Sequence, residues 1–249
     1  MGWFRYMGFP RFYFPGELGP GRQVELPDQA AHHASRVLRL RTGESVTLFN
    51  GKEGEYDATI LRMGKDGVAV RTGQWCDREC ESPLEIMLVQ AVPGGEKMDF
   101  ILQKAVELGV TSIQPVLSVR SVVRLEGERA QKRVQHWQNV VISACEQSGR
   151  NRVPQVAPIM TLTNWLGAGT TAAVKLMLSP RAEHSLRVLP EPDGQVALLV
   201  GPEGGLTETE EEAAAVCGFV PIKIGRRILR TETAALATVS AMQTLWGDF

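Results

Sequence analysis

Three charged side chains stand in two turns near the C-terminal end of the sequence. Glu203 lies in the stretch LLVGPEGGL, residues 198–206, whereas Arg230 and Glu232 lie in IGRRILRTETAAL, residues 224–236. Each stretch runs from an apolar strand through a turn into a helix, and α/β proteins bind small ligands where parallel strands end. The pairing predicts a ligand site at a sheet edge, with carboxylates for acid–base chemistry and an arginine for a negatively charged group.

The glycine-rich turn at residues 201–205 suits a ligand that approaches the backbone closely, because glycine has no side chain and tolerates positive φ. No Gly-Lys-Ser/Thr follows it, and it lacks the G-x-G-x-x-G spacing, so neither a P-loop nor a dinucleotide site is indicated. A simple tight turn is the structural alternative. For the arginine-rich stretch the alternative is a helix capped by Thr231 or Thr233, with Glu232 in its first turn.

The elements that must position these turns form the second of two predicted domains, residues 1–81 and 82–249. From Leu84 onward, strands and helices alternate, and continuous apolar runs such as VALLV are typical of buried parallel strands. Helical spacing predicts helices over residues 97–108, 131–148, 208–216 and 231–246, the third entered through a capping box of Thr207 and Glu210. This alternation predicts an α/β fold with a mainly parallel sheet.

The first domain has a different pattern. Short strands separated by turn signals, at Asn50-Gly51 and at residues 64–67, predict a small antiparallel barrel. A predicted helix over residues 27–40, with Asp28 as its N-cap, interrupts the strands. Residues 32–41 of this segment hold three arginines and no acid, which indicates a local basic patch although the formal net charge of the chain is −1. Solvated helix faces are the alternative.

The composition excludes several classes of protein. The 249 residues are 43% hydrophobic, which suffices for a core, yet no apolar run is long enough for a membrane span and residues 1–9 lack a secretory signal core. The four cysteines show no paired spacing, which predicts no metal site and fits a reducing, cytoplasmic location.

Several segments, in this order, resemble one known family. They are PRFY near the start, HHASRVLRLRTGE at residues 32–44, GEKMDFILQKAVELGV at residues 95–110, ACEQSGRNRVP at residues 144–154, and the two turn stretches. The chain is thereby similar to the bacterial 16S ribosomal RNA uridine-N3 methyltransferases of the SPOUT superfamily. Since such proteins begin close to PRFY, Met7 is the expected natural start, with residues 1–6 as an extension.

The resemblance implies a PUA-like RNA-binding β-barrel followed by a domain with a deep trefoil knot. It also implies a cytoplasmic homodimer that uses S-adenosylmethionine and no metal or membrane, with 16S rRNA or the 30S subunit as partner. The cofactor-binding residues that it implies lie in three loops: Leu178, Ser179, Val200, Gly201, Pro202, Glu203, Gly204, Gly205, Ile224, Gly225, Leu229, Arg230, Thr233 and Ala234. The expected RNA-binding residues are Arg11, Arg36, Arg39, Lys97, Lys104 and Arg150.

The implied reaction assigns roles to the charged groups of the two turns. N3 of uracil must lose a proton before it attacks a methyl group, so Glu232 is the expected base and Arg230 the expected stabiliser of the anion. Glu203 stays open as a second candidate base, or as a group that faces the cofactor. Two other functions also stay open: a SPOUT enzyme acting on ribose 2′-O or on transfer RNA, and a non-catalytic RNA-binding ribosome assembly factor.

Overall fold

The computed structural model describes residues 8–52 and 54–249, so the expectation about residues 1–6 lies outside the described part. The described residues form two compact units. One contains the described residues up to Glu81 together with Cys145–Val153, and the other contains Ser82–Ala144 and Pro154–Phe249.

The first unit is built on a five-stranded mixed sheet. Its strands are β1 (Arg11–Tyr13), β2 (Gln23–Glu25), β3 (Ser45–Phe49), β4 (Glu55–Gly64) and β5 (Gly67–Cys76), in the order β1-β3-β4-β5-β2. Gly64 pairs with Gly67, so Lys65 and Asp66 form the predicted hairpin turn. The expectation of purely antiparallel strands is wrong for β1, which runs parallel to β3. Strand β2 and the helical segment lie between them in the chain, so no tight hairpin turn forces the two strands to be antiparallel.

The helix of the first unit is shorter than predicted. Helix α1 (Asp28–His32) passes into a π-helical turn, His33–Val37, and Arg39 then adopts a positive φ of 53°. Asp28 is not the N-cap. Pro27 takes that position without a side-chain cap, and Asp28 lies in the first turn, where a carboxylate is favoured by the helix dipole.

The second unit is built on a seven-stranded sheet in which every described pairing is parallel. Its order is β12-β10-β11-β6-β7-β8, with β9 also paired to β7. The strands are β6 (Ile86–Ala91), β7 (Ser112–Leu117), β8 (Gln155–Val156), β9 (Met160–Thr161), β10 (Val174–Leu178), β11 (Val196–Val200) and β12 (Val220–Ile222). The predicted parallel sheet is therefore confirmed.

Helices flank this sheet. They are α2 (Lys97–Glu107), α3 (Gly127–Ser148, of which the residues up to Ala144 belong to this unit), α4 (Leu162–Ala168), α5 (Glu208–Val216) and α6 (Thr231–Trp246). Buried side chains of β6, β11 and their neighbours form the core, with Val89, Leu199 and Leu206 among them. Within the described residues, no helix has both the length and the apolarity to cross a bilayer.

Candidate functional site

A cavity of about 270 Å³ lies where β10, β11 and β12 end. It is lined by residues 178–180 after β10, by residues 200–206 after β11, and by residues of 222–234 between β12 and the first turn of α6. All the predicted cofactor-binding residues line it except Arg230 and Thr233, which are not among the described lining residues. The two turns singled out in the sequence therefore border one cavity.

Thr231 joins these two turns. Its Oγ1 donates a hydrogen bond to the carbonyl of Gly201 at 2.7 Å and accepts one from Gln90 Nε2 at 3.2 Å. Thr231 is 5% exposed and Gln90 is fully buried. The alternative in which Thr231 or Thr233 caps α6 is wrong, because Arg230 occupies the N-cap position without a side-chain bond and both threonines lie inside the helix. Its hydroxyl instead fixes the start of α6 against the glycine turn.

The glycine turn folds tightly on itself. A Cβ added at Gly201 would lie 3.0 Å from the backbone nitrogen of Leu206, so a larger residue would force the backbone apart. Gly205 has a φ of +69°, a region that favours glycine. Arg120 supports the turn from outside, since its Nη1 donates to the carbonyls of Gly204 at 2.7 Å and Leu206 at 3.2 Å. No motif around Arg120 in the sequence predicts this role.

Glu203 is held by partners from another part of the chain. Its Oε1 accepts hydrogen bonds from the backbone nitrogen of Gly94 at 3.0 Å and from Lys97 Nζ at 2.7 Å. Burial acts to raise the pKa of Glu203, but the bonds from Lys97, from its own backbone and from Gly94 outweigh it and lower the pKa overall. Glu203 is therefore stabilised as an anion.

Glu232 has the opposite surroundings. It lies in the first turn of α6, and its Oε2 is buried with no hydrogen-bond partner among the described residues. A buried polar atom without a partner is uncommon and marks a candidate for a functional role. Arg230, two residues earlier, is exposed at the helix N-terminus. Neither side chain is among the described residues that line the cavity, although Thr231 and Ala234 beside them are.

Glu211 is a cavity residue that sequence reasoning missed. It lies in the first turn of α5, and its Oε2 accepts from Arg181 Nη2 at 2.9 Å and from Ser179 Oγ at 3.4 Å. Its side chain is 19% exposed. The sequence does not distinguish Glu211 from the other acidic residues at positions 208, 210 and 212. Of these, Glu208 and Glu212 are exposed and do not line the cavity.

Two of the predicted RNA-binding arginines are buried in ion pairs of the first unit. Arg11 pairs with Glu55, and its Nη2 donates to Asn151 Oδ1 at 2.7 Å. Arg150 is 4% exposed and donates from Nε to Glu81 at 2.9 Å. Removing one partner of such a buried pair leaves the other charge buried and unpaired. These two arginines therefore serve packing, and we remove them from the proposed RNA-binding set.

The remaining predicted RNA-binding residues differ in their surroundings. Lys104 Nζ pairs with Glu107 on its own helix at 2.7 Å, and Lys97 pairs with Glu203 as described above. Arg36 and Arg39 are exposed on the segment that follows α1. Among the described residues, no three His, Cys, Asp or Glu side chains are grouped so that they could hold a metal ion.

Comparison with known families identifies the chain. A model described as RNA methyltransferase domain matches residues 80–243, and one described as RNA methyltransferase PUA domain matches residues 26–72. The ribosomal RNA small subunit methyltransferase E of Buchnera aphidicola subsp. Schizaphis graminum is 35% identical over 96% of this chain and 97% of its own length. The Bacillus subtilis protein of the same name is 32% identical over 86% of this chain and 87% of its own length.

Solved structures agree with this result. The ribosomal RNA small subunit methyltransferase E from Neisseria gonorrhoeae, bound to S-adenosyl methionine, is 47% identical with a TM-score of 0.90 and covers 97% of this chain and 100% of its own. A putative methyltransferase from Legionella pneumophila, in complex with the same cofactor, is 39% identical with a TM-score of 0.94 and covers 98% of this chain and 100% of its own. The predicted fold class and family are confirmed: the chain belongs to the RNA methyltransferase family that includes the proteins named ribosomal RNA small subunit methyltransferase E.

Proposed function

We propose that this chain transfers a methyl group from S-adenosylmethionine to N3 of a uridine in 16S ribosomal RNA. The observation that carries the proposal is the cavity between the glycine turn and the start of α6, joined through Thr231. A relative with 47% identity holds S-adenosyl methionine, and relatives of similar sequence are named ribosomal RNA methyltransferases. These support the methyl donor and the class of RNA, while the choice of N3 rests on the resemblance that the sequence motifs carry.

The residues of the cavity fit this donor. Apolar side chains of Leu178, Ile224 and Leu229 line it and suit a flat adenine ring. The carboxylates of Glu203 and Glu211 also line it, and they suit a ligand that carries a sulfonium and an ammonium group.

The glycines of the cavity wall fit the donor as well. The positions where a Cβ would lie on Gly205 and Gly225 have no atom of the described residues within 4 Å, apart from their chain neighbours, so the absent side chains leave open space beside the cavity. Gly225, like Gly205, has a positive φ, which L side chains adopt only with strain.

Proton removal from N3 is assigned to Glu232. The N3–H bond breaks and its proton passes to the Glu232 carboxylate, whose Oε2 has an unused acceptor position among the described residues. Glu203 is the weaker candidate, because its bonds from Lys97 and Gly94 lower its pKa and hence its basicity. When bound, the donor supplies a methyl group activated by positively charged sulfur, and the N3–C bond forms as the S–C bond breaks.

Arg230 is assigned to the uracil oxygens. Loss of the N3 proton spreads negative charge onto O2 and O4 of the ring, and a guanidinium group stabilises such charge. Its exposed position at the start of α6 lets it reach a base that enters from outside the cavity. Because N3 lies on the Watson–Crick edge, the target uridine must be unpaired or flipped out.

The wider setting belongs to the same proposal. We assign RNA docking to the exposed Arg36 and Arg39 of the first unit, whose region matches the PUA family model. We further propose the two-domain division at residues 1–81 and 82–249, a deep trefoil knot in the second domain, a homodimer, and action in the cytoplasm on 16S RNA or the 30S subunit.

Mass spectrometry of nucleosides tests the reaction. The protein is incubated with S-adenosylmethionine and either unmodified 16S RNA or 30S particles, and the RNA is digested to nucleosides. We expect a methylated uridine that retains its methyl group on the base fragment. A methyl group on the ribose fragment would instead assign a 2′-O-methyltransferase. Binding of S-adenosylmethionine in a thermal-shift titration, without methylation of either substrate, would favour an assembly factor.

A further inference from the structure

A row of basic side chains on α3 takes no part in the site described above. Arg129, Lys132, Arg133 and His136 follow the spacing i, i+3, i+4, i+7, which places them on one face of a helix. We call these four residues the cationic stripe, whose charge comes from its two arginines and its lysine. Arg129, Lys132 and His136 are exposed, while the adjoining face of α3 buries Trp137.

The cationic stripe is attached to the helix that supports Glu203. Asp99, in the first turn of α2, accepts hydrogen bonds from Trp137 Nε1 at 3.1 Å and lies 2.6 Å from His136 Nε2. Two residues before Asp99, Lys97 pairs with Glu203 in the wall of the cavity. A series of contacts through the first turn of α2 therefore connects the wall of the cavity to the cationic stripe.

The positive charge of the stripe is only partly compensated. Lys132 Nζ lies 3.4 Å from the exposed carboxylate of Glu128, and exposed pairs of this kind contribute little and are screened by salt. Arg129 is exposed to solvent. The Arg133 guanidinium lies 5.7 Å from the centre of the Trp137 ring, which orients it without neutralising it. The face therefore suits a polyanion.

We propose that the cationic stripe binds backbone phosphates of the RNA beside the target nucleotide. The inference rests on the proposed function, since it requires an RNA substrate. From Arg129 to Arg133 the helix rises by about 6 Å, at 1.5 Å per residue, and the three long side chains extend beyond it, so the stripe can contact more than one phosphate. Phosphate contacts of this kind set the position of the strand without reading its sequence.

Binding of unmodified 16S RNA at a series of salt concentrations tests the stripe. The variant Arg129→Gln with Lys132→Gln removes two charges that make no contact with the core. We expect its affinity to fall about tenfold near 0.15 M salt, and its plot of log K against log salt to become shallower by about 1.5, because each phosphate contact contributes roughly 0.7–0.9. Calorimetric affinity for S-adenosylmethionine and the particle mass by light scattering should not change.

Two control variants show whether the effect depends on the charge of the stripe and on its position in the second unit. Arg129→Lys with Lys132→Arg keeps both charges and should keep the wild-type affinity and salt slope. Arg187→Gln removes an exposed arginine elsewhere in the second unit and should leave both unchanged.

If the glutamine variant keeps the wild-type affinity and salt slope while the wild-type protein methylates the same RNA, the proposal that the stripe binds phosphates is overturned and the proposed function stands. A changed particle mass would assign the stripe to contact with a second copy of the chain and would also overturn it. A wild-type protein that neither binds nor methylates the RNA, whether free or in 30S particles, would overturn both proposals.

Discussion

Thr231→Val removes the hydroxyl that bonds the start of α6 to the glycine turn. Valine keeps the β-branched shape, so the change is nearly confined to hydrogen bonding. The Gly201 carbonyl loses its donor at 2.7 Å, and Gln90 Nε2 loses its acceptor at 3.2 Å. Gln90 Nε2 retains its second bond, to the carbonyl of Ala91 at 2.9 Å.

The magnitude follows from these two bonds. A buried acceptor left without a donor costs about 1–3 kcal/mol, and a typical hydrogen bond contributes about 0.5–1.5 kcal/mol net. Together they lower the free energy of unfolding by about 3 kcal/mol. For a protein of this size each kcal/mol corresponds to roughly 2–4 °C, so the melting temperature should fall by about 9 °C. Affinity for S-adenosylmethionine should fall as well, because the two turns bordering the cavity are no longer joined.

Thermal and urea unfolding, each with and without S-adenosylmethionine, measure both effects. Thr231→Ser is the matched control, since it keeps the hydroxyl and loses only a methyl group; it should remain within about 1.5 kcal/mol of the wild type. A valine variant that melts with the wild type would refute the reasoning. Equal losses in the serine and valine variants would show that the methyl group, and not the hydrogen bonds, stabilises this region.

Four further outcomes are expected. Glu232→Gln should lower turnover at least about 100-fold with nearly unchanged cofactor affinity, and normal turnover would remove Glu232 from proton transfer. Gly204→Val should weaken cofactor binding in calorimetry, because an added Cβ lies 3.3 Å from the Arg120 side chain that supports the turn; unchanged binding would contradict this. Arg36→Ala with Arg39→Ala should weaken RNA binding and flatten its salt dependence, and an unaltered slope would count against this docking surface. Burial raises the pKa of Glu146 to about 7, against smaller lowering effects of the Tyr13 amide and Arg11, so stability should fall as the pH rises from about 4.5 to 7. In the wild type this fall in the free energy of unfolding is roughly 3 kcal/mol, and Glu146→Gln should abolish it in urea unfolding measured at pH 5 and 8. A variant with the same pH profile as the wild type would refute the burial argument.

Local patterns predicted the elements that depend on nearby residues. Helix α5 begins and ends as predicted, because the capping box places the Thr207 hydroxyl and the Glu210 side chain within three residues of each other. The turn at Lys65 and Asp66 is also determined locally, by the glycines on either side of it that join two antiparallel strands. Strands β8 and β9 were missed, since two residues each are too few to show a period.

The bonds that define the site could not be predicted in this way. Glu203 and Lys97 are 106 residues apart, and Arg120 and Gly204 are 84 residues apart. No spacing in the sequence shows that these pairs meet, because their proximity follows from the strand order β12-β10-β11-β6. For the same reason, the sequence suggested RNA contacts for Arg150, whose carboxylate partner Glu81 is 69 residues away.

The sequence by itself determined which residues stand in the two turns and that each turn follows a buried strand, because apolar runs, glycines and caps act over a few residues. Only the tertiary structure decided the state of each charged group. It gave Glu203 its partners, left Glu232 Oε2 without one among the described residues, and turned the Thr231 hydroxyl from a helix cap into a link between the turns. Hydrogen bonds and burial depend on atoms brought together across the sheet, which local patterns do not specify.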